Sequence, residues 1–398
     1  MPAGGGRRCI FELTKMLRRR HTVDLYNLSV AEDDPSELKK IFNNVYTFNS
    51  LRLILKKPLG TFNIFINFLN LYILGRTFKK MARTIDARGY DLAFVHASFW
   101  EWLSSPDLLR YLKAPSVYFC HEPYRKYYEP QYFNSPIFGF SYFNKLRYLL
   151  LGLFYALYNY WFRVKDSRNI RQASVVLTNS SFSQKRIFEV YGISAKVNYL
   201  GVDEQSFRPL DLLRENMVVS VGVLELRRGH HFVIEALSRL PERIRPRLII
   251  ISPFETEEMQ AYKEHLRHLA AEKKVEILFY IGISDTQLCL LYNQAKLTIC
   301  AFIREPFGLV PLESMACATP VVAVAEAGLK ESVVDGQTGR LVSWNMDEFS
   351  RCIEALLLDE KERIRLGYNG RQEVLSKWTW EKSSYQLEQN LLQVMKNG

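Results

Sequence analysis

Short runs rich in Val, Ile, Leu and Phe recur along the chain without a polar residue at every second position, and helical periodicity fills the intervals between them. In the first half such runs fall at 21–29, 91–96, 116–121, 174–179 and 197–201, with helical stretches at 10–20, 64–85 and 182–191. In the second half they fall at 217–224, 247–252, 275–282, 297–302 and 320–324, with helical stretches at 232–239, 257–273, 286–294, 309–316 and 347–358. Strands that are apolar on both faces and alternate with helices predict parallel sheets covered on each side. Two such series predict two doubly wound, Rossmann-like lobes facing across a cleft, where ligands bind at the carboxyl ends of the strands. The first lobe is placed at 1–204 and the second at 205–377, with a C-terminal helix at about 378–398 packing back on the first. A lobe of this kind begins with a strand that leads into a glycine-rich turn, yet Gly4, Gly5 and Gly6 follow only three residues. The first strand of the N-terminal lobe is therefore expected to be missing.

Composition fits this picture: 48% hydrophobic and 24% charged residues over 398 positions suffice for two cores. Charge changes it. Residues 1–200 hold 29 Lys and Arg against 14 Asp and Glu, whereas the remainder hold 24 against 28. The basic half predicts an anionic partner, such as a phosphorylated acceptor or an acidic membrane surface. Nucleic acid is not expected, because no reading module accompanies the basic charge. The uncharged run 148–162 (YLLLGLFYALYNYWF) is shorter than the roughly 20 residues needed to span a bilayer. Its tyrosines, its Trp and its flanking Lys145, Arg147, Arg163 and Lys165 suit either an interfacial helix or a core helix. In the interfacial case Arg168 and Arg171 would face headgroups. The six cysteines show no paired spacing for zinc, and MPAGGGRRC has no apolar signal core, so a cytoplasmic, reducing location is expected.

The densest chemistry lies in 304–322, REPFGLVPLESMACATPVV. A strand runs into a loop holding Glu305, then Phe307-Gly308, then a helix carrying Glu313. Seven residues separate the two carboxylates, which lets both border one pocket. Backbone N–H groups at Gly308 and Leu309 would open the helix onto an anion. His121 ends the run VYFCH, where a central strand would aim it into the cleft. Glu122 beside it and His96 at the neighbouring strand end are further polar candidates on the acceptor side. His230 and His231 are read as helix-start structure. No Ser-His-Asp order, P-loop or HExxH is present.

This segment resembles the E-x7-E element of the family 4 retaining glycosyltransferases, whose fold is the two-lobed GT-B type. Other stretches resemble that family in the same order: GVLELRRG from Gly222 to Gly229 its phosphate loop, Asp335-Gly336 with Thr338-Gly339 its D-G-x-T-G turn, and Asn179-Ser180 and Gly201-Val202-Asp203 the elements before its hinge. The resemblance implies a nucleoside-diphosphate-sugar donor, no metal or other cofactor, and transfer of a hexose to a saccharide or lipid-linked acceptor hydroxyl, as in polysaccharide or glycolipid biosynthesis. It implies that Glu313 holds the ribose and Glu305 the transferred sugar, with Phe307, Gly308 and Leu309 beside it. Arg228 would meet the diphosphate, and His121 the reaction centre. Gly4, Gly5, Gly6, Gly222 and Ile283 would also border the donor. Val223 stands where the family usually has Arg, and Arg227 is the candidate to replace that charge. Two other readings stay open: a non-catalytic relative that binds nucleotide sugar, and an epimerase on the same fold.

Overall fold

The structure, a computed structural model, describes residues 5–28, 35–49, 61–96, 107–129 and 145–397. They gather into two compact units. The N-terminal unit comprises Gly6–Thr178, Gln184–Asn198 and Ser384–Gly398, and the C-terminal unit comprises Met1–Gly5, Asn179–Ser183 and Tyr199–Ser383.

The N-terminal unit contains α1 (Gly5–Leu17), β1 (Leu25–Leu28), α2 (Pro35–Ile41), β2 (Val45–Phe48), α3 (Thr61–Asp86), β3 (Ala93–His96), α4 (Asp107–Tyr111), β4 (Ser116–Phe119), α5 (Arg125–Tyr128), α6 (Lys145–Ile170), β5 (Val175–Thr178), α7 (Ser181–Tyr191) and β6 (Lys196–Val197). Its strands form two parallel sheets, β1-β2 and β3-β4-β5-β6. On one face of β1-β2, Phe11 of α1 packs with Leu38 and Ile41 of α2 over Leu25 and Val45. On the other, Phe78, Met81 and Ile85 of α3 cover Tyr26, Leu28 and Phe48, and also meet Leu108 and Tyr111 of α4. The two-residue period of the strands produces this division. The sheet β3-β6 carries its own core, in which Val95, Tyr118 and Val176 pack with Leu109, Ile170 and Ile187. Helix α1 starts at Gly5, so Gly5 and Gly6 belong to its first turn rather than to a preceding loop. Of the run expected at 197–201 only Val197 lies in a strand, the two-residue β6.

The C-terminal unit contains β7 (Met217–Val221), α8 (His230–Ser238), β8 (Arg247–Ser252), α9 (Glu257–Glu272), β9 (Ile277–Ile281), α10 (Asp285–Gln294), β10 (Leu297–Cys300), α11 (Leu309–Ala316), β11 (Val321–Val324), α12 (Leu329–Ser332), β12 (Gly339–Val342), α13 (Met346–Leu358) and α14 (Glu360–Lys377). Helix α15 (Trp380–Asn397) begins here and continues into the N-terminal unit. All six strands are parallel in the order β12-β11-β10-β7-β8-β9. This is the Rossmann order, with its switch point between β7 and β10. Every residue of β7, β10 and β11 is buried, and burying each Val, Leu or Ile side chain contributes about 1.5–3 kcal/mol. Side chains fix the helix starts: Ser284 and Gln287 form a capping box on α10, Asn345 accepts the N–H groups of Asp347 and Glu348, and Asp359 accepts that of Glu362.

Candidate functional site

The chain leaves β7 through Gly222, whose N–H still donates to the Ile251 carbonyl (2.8 Å), and makes a single 3-10 turn at Leu226–Arg228. Gly229 follows at φ +66°. A Cβ there would stand 1.9 Å from the Ala301 carbonyl oxygen, so only glycine lets this loop lie against the end of β10. His230 then opens α8 fully buried. Its Nε2 faces the Gly222 carbonyl (3.3 Å) and so carries the proton, while Nδ1 accepts from the Ser220 hydroxyl (2.9 Å). Burial pushes its pKa down to about 4, so the ring is neutral and ties the loop to the strand it leaves. This agrees with the structural reading of His230 from the sequence.

The second wall comes from the other side of the switch point. After β10 the chain passes Phe302, turns through Arg304 at φ +51° and reaches Glu305, whose carbonyl accepts the Gly328 N–H (2.9 Å). Arg228 Nη1 lies 2.5 Å from Glu305 Oε2, with both side chains about one-fifth exposed, and its guanidinium sits 5.1 Å from the Phe302 ring centroid. Arg228 Nε is buried without a hydrogen-bond partner. Arg227 points elsewhere and pairs with Glu225 (2.7 Å).

Gly308, at φ +98°, precedes α11 and offers no side-chain cap, so the N–H groups of the first turn have no side-chain acceptor from it. Leu309 is its first residue, and Pro311 falls where no donor is required. Glu313 lies one turn in, 5% exposed, with Oε2 accepting the Tyr292 hydroxyl (3.1 Å). Phe307 is buried and packs against Tyr199 and Trp378, at 5.9 and 5.6 Å between centroids. Ile283 lies after β9, two strands away from β7, between Gly282 and the capping Ser284. A further carboxylate escaped the reading of the sequence. Glu331 accepts the N–H groups of Ser181 and Phe182 (2.8 Å each) and the Tyr199 hydroxyl (3.0 Å). Its place four residues before Asp335-Gly336 was the available signal.

In the N-terminal unit His96 ends β3 and His121 follows β4 by two residues. Their Nε2 atoms are 3.1 Å apart, so one ring donates and the other accepts. His96 also stacks on the buried Phe119, with centroids 5.4 Å apart. Desolvation brings the His121 pKa down to about 4. Cys9 of α1 joins them: its thiol and the two imidazoles lie within 4.8 Å of one another, a set able to hold a metal ion. Local cysteine spacing gave no sign of it. Glu122 accepts from Arg125 Nε (2.5 Å), which holds its carboxylate. Gly4 lies outside the described residues.

A six-stranded Rossmann unit carrying a cation–carboxylate pair and a bare helix start at its switch point, preceded by a second parallel α/β unit, defines the GT-B class of protein. Solved structures support that fold. Sucrose-phosphate synthase from Thermosynechococcus elongatus matches with a TM-score of 0.77 at 20% identity, covering 100% of this chain and 95% of that one. Anabaena HepE in complex with UDP and glucose matches with a TM-score of 0.71 at 20% identity, covering 98% of this chain and 96% of that one. The model of Glycosyltransferase Family 4 matches residues 3–206, and that of Glycosyl transferases group 1 matches residues 202–373. The chain belongs to this family of group 1, family 4 glycosyltransferases. Among curated relatives, the GDP-mannose-dependent alpha-(1-6)-phosphatidylinositol monomannoside mannosyltransferase of Mycolicibacterium smegmatis is 28% identical over 55% of this chain and 62% of its own length. The MMP alpha-(1->4)-mannosyltransferase of Mycolicibacterium hassiacum is 28% identical over 57% of this chain and 56% of its own length. The chain spans about half the length of the curated relatives it matches.

Proposed function

We propose that this protein is a retaining hexosyltransferase that passes a sugar from a nucleoside-diphosphate donor to an acceptor hydroxyl, saccharide or lipid-linked, at the cytoplasmic face of a membrane. The observation that carries the reading is the Arg228–Glu305 pair beside the uncapped start of α11. A diphosphate placed there meets a fixed cation and N–H dipoles, the groups that stabilise a leaving phosphate without reorganisation. Arg228 then turns from Glu305 to the phosphate, which frees the Glu305 carboxylate for the hydroxyls of the transferred sugar. Glu313 holds the ribose. The C1–O bond to the diphosphate breaks while the acceptor oxygen bonds C1 on the same face. The acceptor proton passes to the departing phosphate, so no residue of the chain forms a covalent intermediate. The relatives named as mannosyltransferases, and the solved complexes with UDP and glucose, support transfer over epimerisation or binding alone.

The test is calorimetric titration with UDP, GDP and ADP and their sugars, followed by transfer assays. Glu313→Gln is expected to weaken binding of the free nucleotide. Glu305→Gln is expected to leave nucleotide binding intact and to lower turnover about a hundredfold, the scale of losing one preorganised contact. Near-normal transfer by both variants would show that this pocket is not the donor site.

A further inference from the structure

Cys9, His96 and His121 come together from the two separate sheets of the N-terminal unit. Helix α1 packs Phe11 with α2 over the β1-β2 sheet. Cys9 stands two positions earlier, roughly 200° around the helix at 3.6 residues per turn, and so faces the other way. There its fully buried thiol meets His96 at the end of β3 and His121 just past β4, in the neighbouring sheet. Leu108 of α4 is shared by the apolar cores of the two sheets. The thiol–imidazole cluster is a second junction between them, on the α1 side.

The donor set is one thiol and two imidazoles. Sulfur and imidazole nitrogen select zinc over magnesium or calcium, which take oxygen ligands. The acid next to His121, Glu122, is held by Arg125 Nε (2.5 Å) and does not compete for the ion. Ligand atoms around a tetrahedral zinc ion stand roughly 3.3–3.7 Å from one another. The two Nε2 atoms are 3.1 Å apart, and all three donor atoms lie within 4.8 Å of one another. Closure therefore needs side-chain movements of about 1 Å. Phe119 stacks on His96 at 5.4 Å and lies 5.0 Å from His121, and Phe94 meets His96 edge-on at 6.2 Å. These rings orient the imidazoles and line the site with apolar surface. Cys9 is buried while both histidines are partly exposed, so an ion enters, and a fourth ligand reaches it, from the histidine side.

We propose that Cys9, His96 and His121 form a zinc site that clamps α1 to the ends of β3 and β4, with water as the fourth ligand. Binding displaces one proton, that of the Cys9 thiol. It also moves the ring proton of the donating imidazole from Nε2 to Nδ1, so that both Nε2 lone pairs face the ion. The site uses none of Arg228, Glu305 and Glu313, and it stands independently of the transferase reading. It commits His121 Nε2 to the ion rather than to the reaction centre that the resemblance implies.

The test strips the full chain of metal with a chelator and titrates it with zinc chloride and, separately, with cobalt chloride. One zinc ion per chain and release of one proton are the expected results. At a hundredfold excess over Kd, zinc should raise the melting temperature of this unit by roughly 5–10 °C. Cobalt in the unaltered protein should show the visible bands of a four-coordinate ion together with a thiolate-to-cobalt band in the near ultraviolet. Cys9→Ala and His96→Gln should each weaken zinc binding about a hundredfold or more, since even partners outside the ligand shell are worth roughly 10–100-fold. Cys289→Ser, at the other close pair of thiols (3.8 Å from Cys317), should bind zinc like the parent protein. Cys9→Ala should keep the parent's nucleotide affinity, so failure here is distinct from failure of the transferase reading. Absence of stoichiometric zinc binding would overturn the proposal. So would a cobalt spectrum without the thiolate band, or zinc affinity unchanged in Cys9→Ala. The cobalt spectrum needs no substitution, so it decides the question even where a variant does not fold.

Discussion

Arg228 and Glu305 make the most specific demand on experiment. They come from opposite sides of the switch point, and their contact at 2.5 Å joins two loops separated by 77 positions. Two unit charges at about 4 Å attract by roughly 4 kcal/mol at an effective dielectric of 20 and by roughly 1 kcal/mol in bulk water. With each side chain about one-fifth exposed, an intermediate coupling of about 2 kcal/mol is expected. The perturbation is a double-mutant cycle of Arg228→Gln, Glu305→Gln and the double variant, read by urea unfolding of the ligand-free protein. The same cycle is then repeated with saturating nucleoside diphosphate. If the diphosphate draws Arg228 away, the coupling should fall to a few tenths of a kcal/mol. Each single variant should lose more stability than the double variant would suggest, because it leaves a partly buried group without its partner. A ligand-free coupling near zero would refute the pairing. A coupling that persists unchanged with bound diphosphate would refute the idea that the pair opens for the donor.

Two further predictions rest on the same loop. Gly229→Ala must place a Cβ against the Ala301 backbone and hold alanine in the left-handed region, which alone costs about 1–2 kcal/mol. We predict a total loss of about 3–5 kcal/mol in urea unfolding together with weaker nucleotide binding; a loss below about 1 kcal/mol would show that the loop does not lie against β10. His230, with a folded pKa of about 4 against an ordinary 6.5, refuses a proton that the unfolded chain accepts. Its contribution is complete above pH 6.5 and is lost as pH falls toward 4, with a steepest slope of about 1.4 kcal/mol per pH unit. His230→Gln should therefore show a shallower acid limb than the parent protein, and parallel acid limbs would remove His230 as the cause.

The C-terminal unit was nearly transparent in the sequence because its strands are buried on both faces. The runs at 247–252 and 309–316 coincide with β8 and α11 end to end. Strand β2 was missed because VYTF is only half-buried and carries no continuous apolar run. Strand β12 was missed because GRLV sits at a sheet edge and needs little apolar surface. Site geometry divides in the same way. Glu305, Gly308 and Glu313 share one loop and one helix turn, so their spacing carried the information. The contact of Arg228 with Glu305, and the meeting of Cys9 with His96 and His121, depend on which strands become neighbours, and no local periodicity encodes that. The 148–162 run was ambiguous for a physical reason: α6 buries Tyr158 and Phe162 while exposing Leu157 and Tyr160, so one stretch of uncharged residues serves two faces.

Helix α15 closes the N-terminal unit from the far end of the chain. Glu388 receives Arg20 at 3.0 Å and His21 at 2.7 Å, across 368 and 367 residues, while Gln393 and Gln386 bind Lys196 and the Val197 carbonyl. At about 5–20 residues per second of translation, α1 waits roughly 20–70 s on the ribosome for this partner. During that interval the earliest-made unit is the unfinished one. A tag or truncation placed at the C-terminal end of α15 would be felt first by the half of the molecule that left the ribosome earliest.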